Sequence, residues 1–522
     1  MSVLPARLAA PARREPPSPV PGERPGRQVV AALILGAGLG ALTPFAPVVA
    51  VAVVAAVIVL VWLLWLGPRS RLAFLATLGV LIAAYAMFNR GIAYVGAGGV
   101  YIGELTLVLG LLPLIRAVPR LRFGTFELVI VAFIAWGAAR TIPYLGLYGV
   151  SAIRDGAMWG YALFALLVSA LLTPGAVTRA VSFARRFIPF FLSWIPVATV
   201  VTAFASAALP SWPGAPVPLL VVKHGDFGVY LAIIAAFMLV GLYERRPSSV
   251  PAWAIWCLWL ADVALIGAMS RGGLVSVAIG AASALLFVRS SRRLGQVIGI
   301  GLGFFVALYL VNPSISLSYV GREVSFSQLV DNVISVASDQ ANDAGSLAGT
   351  KAWRLAWWNE IIGYTVDGPY RWSGKGFGIN LADDDGFQVK ADRSLRSPHS
   401  AHFSLLARGG IPMLALWLLI NGIFAVRVLR AGLVARRTGQ RLMVQVMACV
   451  FALWVAAFVN MSFDVYLEGP QGGILFWTTI GVGIWLARAV KLGISLEHPA
   501  GVPVPAMPPA LRRIDVPRGS QA

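Results

Sequence analysis

Residues 411–426 read IPMLALWLLINGIFAV, and residues 396–410 just before them read RSPHSAHFSLLARGG. The first stretch carries no charge and, with its flanks, reaches the roughly 20 apolar residues that cross a bilayer as one helix. Runs of the same kind recur at 46–66, 128–139 and 229–242. Hydrophobic residues make up 58% of the 522 and charged residues only 12%, against about 25% charged in a soluble domain. The expected fold is therefore all-α, a polytopic helical membrane protein, since a transmembrane barrel would show short alternating segments instead. About 12–14 transmembrane helices are expected, with centres near residues 37, 56, 80, 108, 133, 165, 197, 235, 260, 280, 303, 419, 452 and 480. The two cysteines, Cys257 and Cys449, lie inside apolar runs and read as small packing residues.

The net charge of +20 could suggest a nucleic-acid partner. Sorting the loops by side gives a different reading. With the N-terminus in the cytoplasm, roughly 28 of the 42 Lys and Arg fall inside, which is the positive-inside signature of a membrane protein. Examples are Arg116, Arg120 and Arg122, then Arg427, Arg430, Arg436, Arg437 and Arg441. The basic balance thus reports topology, with both termini cytoplasmic; no nucleic-acid partner is implied.

The chain divides by composition. Residues 1–27 and 493–522 are basic and rich in Pro, and read as disordered cytoplasmic tails. Residues 28–312 form an N-terminal transmembrane bundle, 313–405 one large extracytoplasmic loop, and 406–492 the C-terminal transmembrane helices. A loop of that length among short ones is more often functional than not. It contains GTKAWRLAWWNEIIGYT (349–365), whose Trp353, Trp357 and Trp358 suit a helix lying in the membrane interface. A glycine-rich turn follows, then the acidic run Asp383–Asp385, then the His and Arg stretch of the opening lines. Three adjacent carboxylates cannot all face one ion, so the acidic run reads as a solvated loop and not as a metal site.

Two spots outside the loop stand out. AMSRGG (268–273) puts Arg271 at a tight turn between two spans, on the side normally poor in Arg; the alternatives are a functional cation and a snorkelling helix end. VVKHGDFG (221–228) brings Lys223, His224 and Asp226 to the start of another span.

Taken together, these features resemble the O-antigen ligase and O-antigen polymerase family. The resemblance rests on Ser270–Gly272 opening a span, Arg354 with the Trp-containing stretch to Ile361, the turn of Gly374, Gly376 and Gly378, and Ser397-Pro398-His399 followed by Gly409, Gly410 and Ile411. It covers about residues 220–430. Ser400 stands where the family usually has Asn after the loop histidine, and Lys223 is the nearest basic residue where members often carry Arg. A Lys holds phosphate as a point charge without the bidentate fork of Arg.

The resemblance implies a membrane glycosyltransferase that moves a glycan from a polyprenyl pyrophosphate carrier to an acceptor hydroxyl, with no metal or other cofactor. Its catalytic residues would be His399, Arg271 and Arg354. His399 would act as a base or as a donor to the pyrophosphate, and the arginines would stabilise charge growing on the leaving group. Lys223, Arg396, His402, Arg408 and Gly376 would contact the lipid-linked donor or the glycan or lipid acceptor, with membrane lipids as the alternative contact for Arg396 and Arg408. Ligase and polymerase differ only in the acceptor, and both stay open. A flippase or other polysaccharide transporter is the alternative. It would need polar residues along a path through the membrane, whereas here the basic and histidine residues gather at one surface.

Overall fold

A computed structural model describes residues 70–97, 100–117, 124–212, 217–244, 250–287, 291–311, 314–317, 322–325, 327–330, 332 and 345–497. The expected tails (all but 493–497 of the C-terminal one) and the spans centred near 37 and 56 lie outside these residues. Each of the other twelve expected centres falls within a helix. In chain order the helices are α1 (Ser70–Phe88), α2 (Ile102–Ala117), α3 (Thr125–Thr141), α4 (Val150–Gly160), α5 (Ala162–Leu171), α6 (Pro174–Ala205) and α7 (His224–Leu239). Then come α8 (Ala252–Met269), α9 (Arg271–Ser283), α10 (Ser291–Val311), α11 (Gly345–Thr365), α12 (Ala401–Arg437), α13 (Arg441–Phe463) and α14 (Pro470–Lys491). Among the described residues, eight helices are long and apolar enough to cross a membrane. Besides short helices such as Arg90–Ala93, Leu145–Tyr148 and Leu381–Asp384, there are two antiparallel ribbons, β1 (Gly96–Ala97) with β2 (Val100–Tyr101) and β3 (Ser314–Leu317) with β4 (Arg322–Ser325). The chain is a polytopic helical membrane protein.

Between apolar helices in lipid there is little hydrophobic drive, so close backbone approach through small residues holds a bundle together. Here α7, α9 and α13 pack this way. A Cβ on Gly228 would lie 2.5 Å from the Gly273 carbonyl oxygen, and one on Gly280 would lie 2.7 Å from the Ala456 side chain and 2.8 Å from that of Ala232. Gly481 of α14 meets Ala165 of α5 in the same manner. The helix ends are closed by side chains. Arg71 donates to the last carbonyls of α5, at Leu171 (2.5 Å) and Leu172 (2.8 Å). Asn332 donates to Gly267 and Ala268 at the end of α8. Glu127, buried at the start of α3, pairs with Arg488 near the end of α14.

Helix α12 contains the feature that organises the loop. Gly410 takes φ +69°, ψ −170°, and breaks the helix one residue before the apolar stretch 411–426. A break orphans the carbonyls of the preceding turn. Three of them find donors from elsewhere: Lys375 N–H donates to Ala407 (2.7 Å), Gly376 N–H to Arg408 (3.0 Å), and Trp136 Nε1 to Gly409 (2.8 Å). On the far side of the break, Ile411 N–H donates to Arg371 (2.8 Å). The glycine-rich turn therefore serves as a second strand of hydrogen bonding for a broken membrane helix.

That turn fits only because it lacks side chains. Gly374, Gly376 and Gly378 all have positive φ. A Cβ on Gly374 would sit 2.4 Å from the Arg408 carbonyl carbon, one on Gly376 2.1 Å from the Tyr144 ring, and one on Gly378 2.6 Å from Tyr148. The loop also has its own small core, with Trp357, Ile361, Leu381, Ala382, Leu406 and Ala407 buried together. The tryptophans of α11 accordingly face protein, where the sequence suggested the membrane interface. Trp357 is fully buried and stacks on Phe387, while Trp358 stacks on Phe403 at 4.7 Å and donates to Pro398 (2.9 Å). The acidic run is likewise not a solvated loop. Asp384 and Asp385 both pair with Lys375, Asp385 accepts from Trp357 Nε1 (2.6 Å), and Asp383 accepts from Asn380 and Gln388.

Candidate functional site

The N-termini of α7 and α9 and the C-terminus of α13 meet at the loop end of the bundle. Gly225 in the first turn of α7 has Asn460, Ser270 and Asp464 as its nearest neighbours. Ser270 caps α9 by accepting from Gly273 N–H (3.1 Å), which sets Arg271 as the first helical residue. Lys223 stands at the cap of α7 and pairs with Asp464, the residue that ends α13. Two helix N-termini aimed at one spot add partial positive charge to that of the side chains.

Arg354, on α11, reaches down to this spot and donates to the Phe463 carbonyl at 3.1 Å. It lies close enough to Arg271 and Asp464 for their charges to act on it, and burial pushes its guanidinium below the ordinary value. It stays a cation, as guanidinium groups in proteins do. Asp464 is buried, which alone would raise its carboxyl. The charges of Lys223 and Arg90, with hydrogen bonds from Lys223 and from Val465 N–H, outweigh burial and hold it below the usual carboxylate range.

His399 completes the group from the loop side. Its φ is +54°, an uncommon value for a residue with a Cβ. The segment around it is fixed by its neighbours. Pro398 accepts from Trp358, Ser400 starts α12 and accepts from Ser404 N–H (2.9 Å), and Trp353 meets the His399 ring edge-on at 6.2 Å. Burial, then the charge of Arg354, lowers the imidazole to about 4, with Asp464 opposing and Lys223 and Arg90 adding to the shift. The ring is therefore neutral near pH 7 and sits amid three cations.

Of the residues expected from sequence, His399, Arg271, Arg354 and Lys223 come together here. Arg396, Arg408, His402 and Gly376 lie behind this pocket. Arg396 and Arg408 both donate to the Asp155 carboxylate, at 3.1 and 2.9 Å. His402, on α12, has both ring nitrogens engaged: Nδ1 accepts from Trp417 Nε1 (3.0 Å) and Nε2 meets Ser462 Oγ (2.9 Å). Gly376 holds the helix break described above. Two members of the pocket escaped the sequence reading, Arg90 and Asp464. Both had a usable signal, because each follows an apolar run on the same side as Arg271, where charge is otherwise scarce. Arg90 is held there by Val221, whose carbonyl accepts its N–H at 3.2 Å.

A helical bundle with His399, Arg354, Lys223, Arg90 and Asp464 gathered at one end defines the class, a multi-pass membrane protein. Residues 253–418 match the family model described as O-Antigen ligase, about a third of the chain. The matched stretch runs from α8 into α12 and holds Arg271, Arg354 and His399, while Arg90, Lys223 and Asp464 lie outside it. No curated protein matches the chain.

Proposed function

We propose that this protein is a glycosyltransferase of surface-polysaccharide assembly, moving a glycan from a polyprenyl pyrophosphate carrier to an acceptor hydroxyl. The observation that carries the reading is a neutral histidine within reach of the charges of Arg354, Lys223 and Arg90, with Asp464 as their counter-charge and Arg271 acting on Arg354. In the reaction the acceptor oxygen bonds to the anomeric carbon, and the bond from that carbon to the pyrophosphate oxygen breaks. The electron pair goes to the pyrophosphate and the hydroxyl proton to His399. The cations stabilise the departing charge, more strongly in a water-poor site than in solution. An imidazole held at about 4 is a weak base in the empty pocket. A bound pyrophosphate brings negative charge beside it and raises its proton affinity, so His399 gains basicity when the donor is in place. No step is routed through a metal ion.

The test is His399→Ala in the host, compared with a strain lacking the gene, with protein level checked and lipid-linked intermediates extracted. Normal protein level, loss of surface glycan and accumulation of lipid-linked glycan are expected. Single repeats on the carrier would mark a polymerase, and long chains a ligase. Normal surface glycan from the variant would overturn the reading.

A further inference from the structure

The pocket's histidine lies in a loop, and a loop at an uncommon φ must be held by something. Three residues before His399, Arg396 turns away from the pocket toward α4. Its Nη2 donates to Asp155 Oδ2 (3.1 Å) and to the Gly378 carbonyl (2.8 Å). The same carboxylate oxygen accepts from Arg408 Nη1 (2.9 Å) and from Gly378 N–H (3.1 Å). Arg408 also donates to Ile379 (3.1 Å) and is only 1% exposed, while the Asp155 side chain is 7% exposed. One buried carboxylate thus joins four elements: α4, the glycine-rich turn, the loop before His399, and α12 just ahead of its break.

A second acid closes the arrangement. Glu468, in the segment between α13 and α14, accepts from Ser404 Oγ (2.7 Å) and from the Ser397 side chain, and lies within electrostatic reach of Arg408 and Asp155. Its segment also carries Asp464. The residues flanking His399 are therefore fixed on one side to Asp155 and on the other to Glu468. Partly buried Arg396 and fully buried Arg408 pair with Asp155, and Arg408 also feels Glu468.

We propose that Asp155 is a positioning residue that, through Arg396 and Arg408, holds His399 in the pocket. This rests on the reading of His399 as the acting group. Charge-assisted hydrogen bonds of this kind have defined geometry, and removing the anion leaves Arg408 buried without its ion-pair partner. The conserved-shape change Asp155→Asn keeps an acceptor for Gly378 N–H and removes the charge. Arg396→Gln leaves the Arg408 pair in place and cuts only the arm to the His399 loop. Asp155→Glu restores the charge.

The experiment reads His399 directly. The full-length protein in detergent is treated with diethyl pyrocarbonate, and carbethoxylation of His399 and His402 is followed by mass spectrometry. Asp155→Asn and Arg396→Gln are expected to raise the His399 rate at least about fivefold, with His402 unchanged and Asp155→Glu near the parent. If both histidines speed up together, the clamp is a general fold contact and the proposal falls. It falls equally if neither changes, and Arg396→Gln supplies the answer if Asp155→Asn does not accumulate. Because this readout needs no glycan transfer, it is independent of the host test. Normal glycan from His399→Ala would remove the role of the histidine, while the carbethoxylation rates would still report whether Asp155 holds it.

Discussion

His399 is held at about 4 by burial and by Arg354, and that fixes the sign of its pH effects. Above pH 6.5 the ring is neutral in the folded and unfolded chain alike. As pH falls from 6.5 towards 4, the unfolded chain takes up a proton that the folded chain refuses, so stability declines across that window and then levels off. His399→Asn is expected to remove part of this acid sensitivity, measured as the unfolding midpoint of the detergent-purified protein between pH 7 and 4. Arg354→Gln removes the nearest cation and is expected to move the pH midpoint of His399 carbethoxylation upward; an unmoved midpoint would show that burial alone sets the value. For transfer itself, His399→Ala should lower the rate by about 10²–10⁴, the usual contribution of a positioned acid or base. Arg271→Lys and Arg354→Lys should each cost about 10–10³ if the guanidinium fork meets the pyrophosphate, read from extracted lipid-linked glycan against surface product.

At the scale of elements, the break in α12 governs how the loop is mounted. The glycine-rich turn supplies N–H donors to Ala407 and Arg408 only while it lies flat against the helix and against Tyr144. Gly376→Ala puts a methyl group 2.1 Å from that ring in addition to the strain of φ +88°. It is expected to destabilise by several kcal/mol, beyond the roughly 1–2 kcal/mol of an L-residue in the left-handed region. Gly386 has φ +78° but open space around its Cβ position. Gly386→Ala should therefore show the backbone cost alone, about 1–2 kcal/mol. Thermal unfolding of the two purified variants separates the contributions, and equal losses would mean that the contact with Tyr144 is not a constraint.

For the whole molecule, the distribution of charge predicts which face is which. The segment 366–400 and the turn after α12 adjoin opposite ends of that helix. The positive-inside rule assigns the Arg427–Arg441 end to the cytoplasm. With Cys257 and Cys449 replaced, a cysteine at exposed Asp392 is expected to react with an impermeant maleimide in intact cells. One at Thr438 should react only after the membrane is opened. The reverse pattern would invert the topology and place the pocket in the cytoplasm, away from an extracytoplasmic acceptor.

The helices were legible in the sequence because bilayer thickness imposes a length on apolar runs, and a run's composition is a local property. Arg271, Arg354, Lys223 and His399 were legible for a related reason: a charge at a span end, on the side poor in charge, is conspicuous without knowledge of its partners. The resemblance through Ser270–Gly272, Arg354–Ile361, Gly374–Gly378 and Ser397–Ile411 implied a shared role for Arg271, Arg354 and His399. What each polar side chain faces is a different kind of fact. Arg396 and Arg408 stand within nine residues of His399, yet both turn to Asp155, more than 200 positions away in the chain. His402 is one helical turn past His399 and packs against Ser462 and Trp417 instead of the pocket. Arg90 and Asp464, distant in sequence from the loop, join it. The sequence by itself determined a polytopic helical chain with conspicuous charges at span ends, since hydrophobic length and charge are written residue by residue. Only the tertiary structure decided which cations face the pocket and which are neutralised behind it, because that depends on a helix break, a glycine turn and a buried carboxylate brought together by packing.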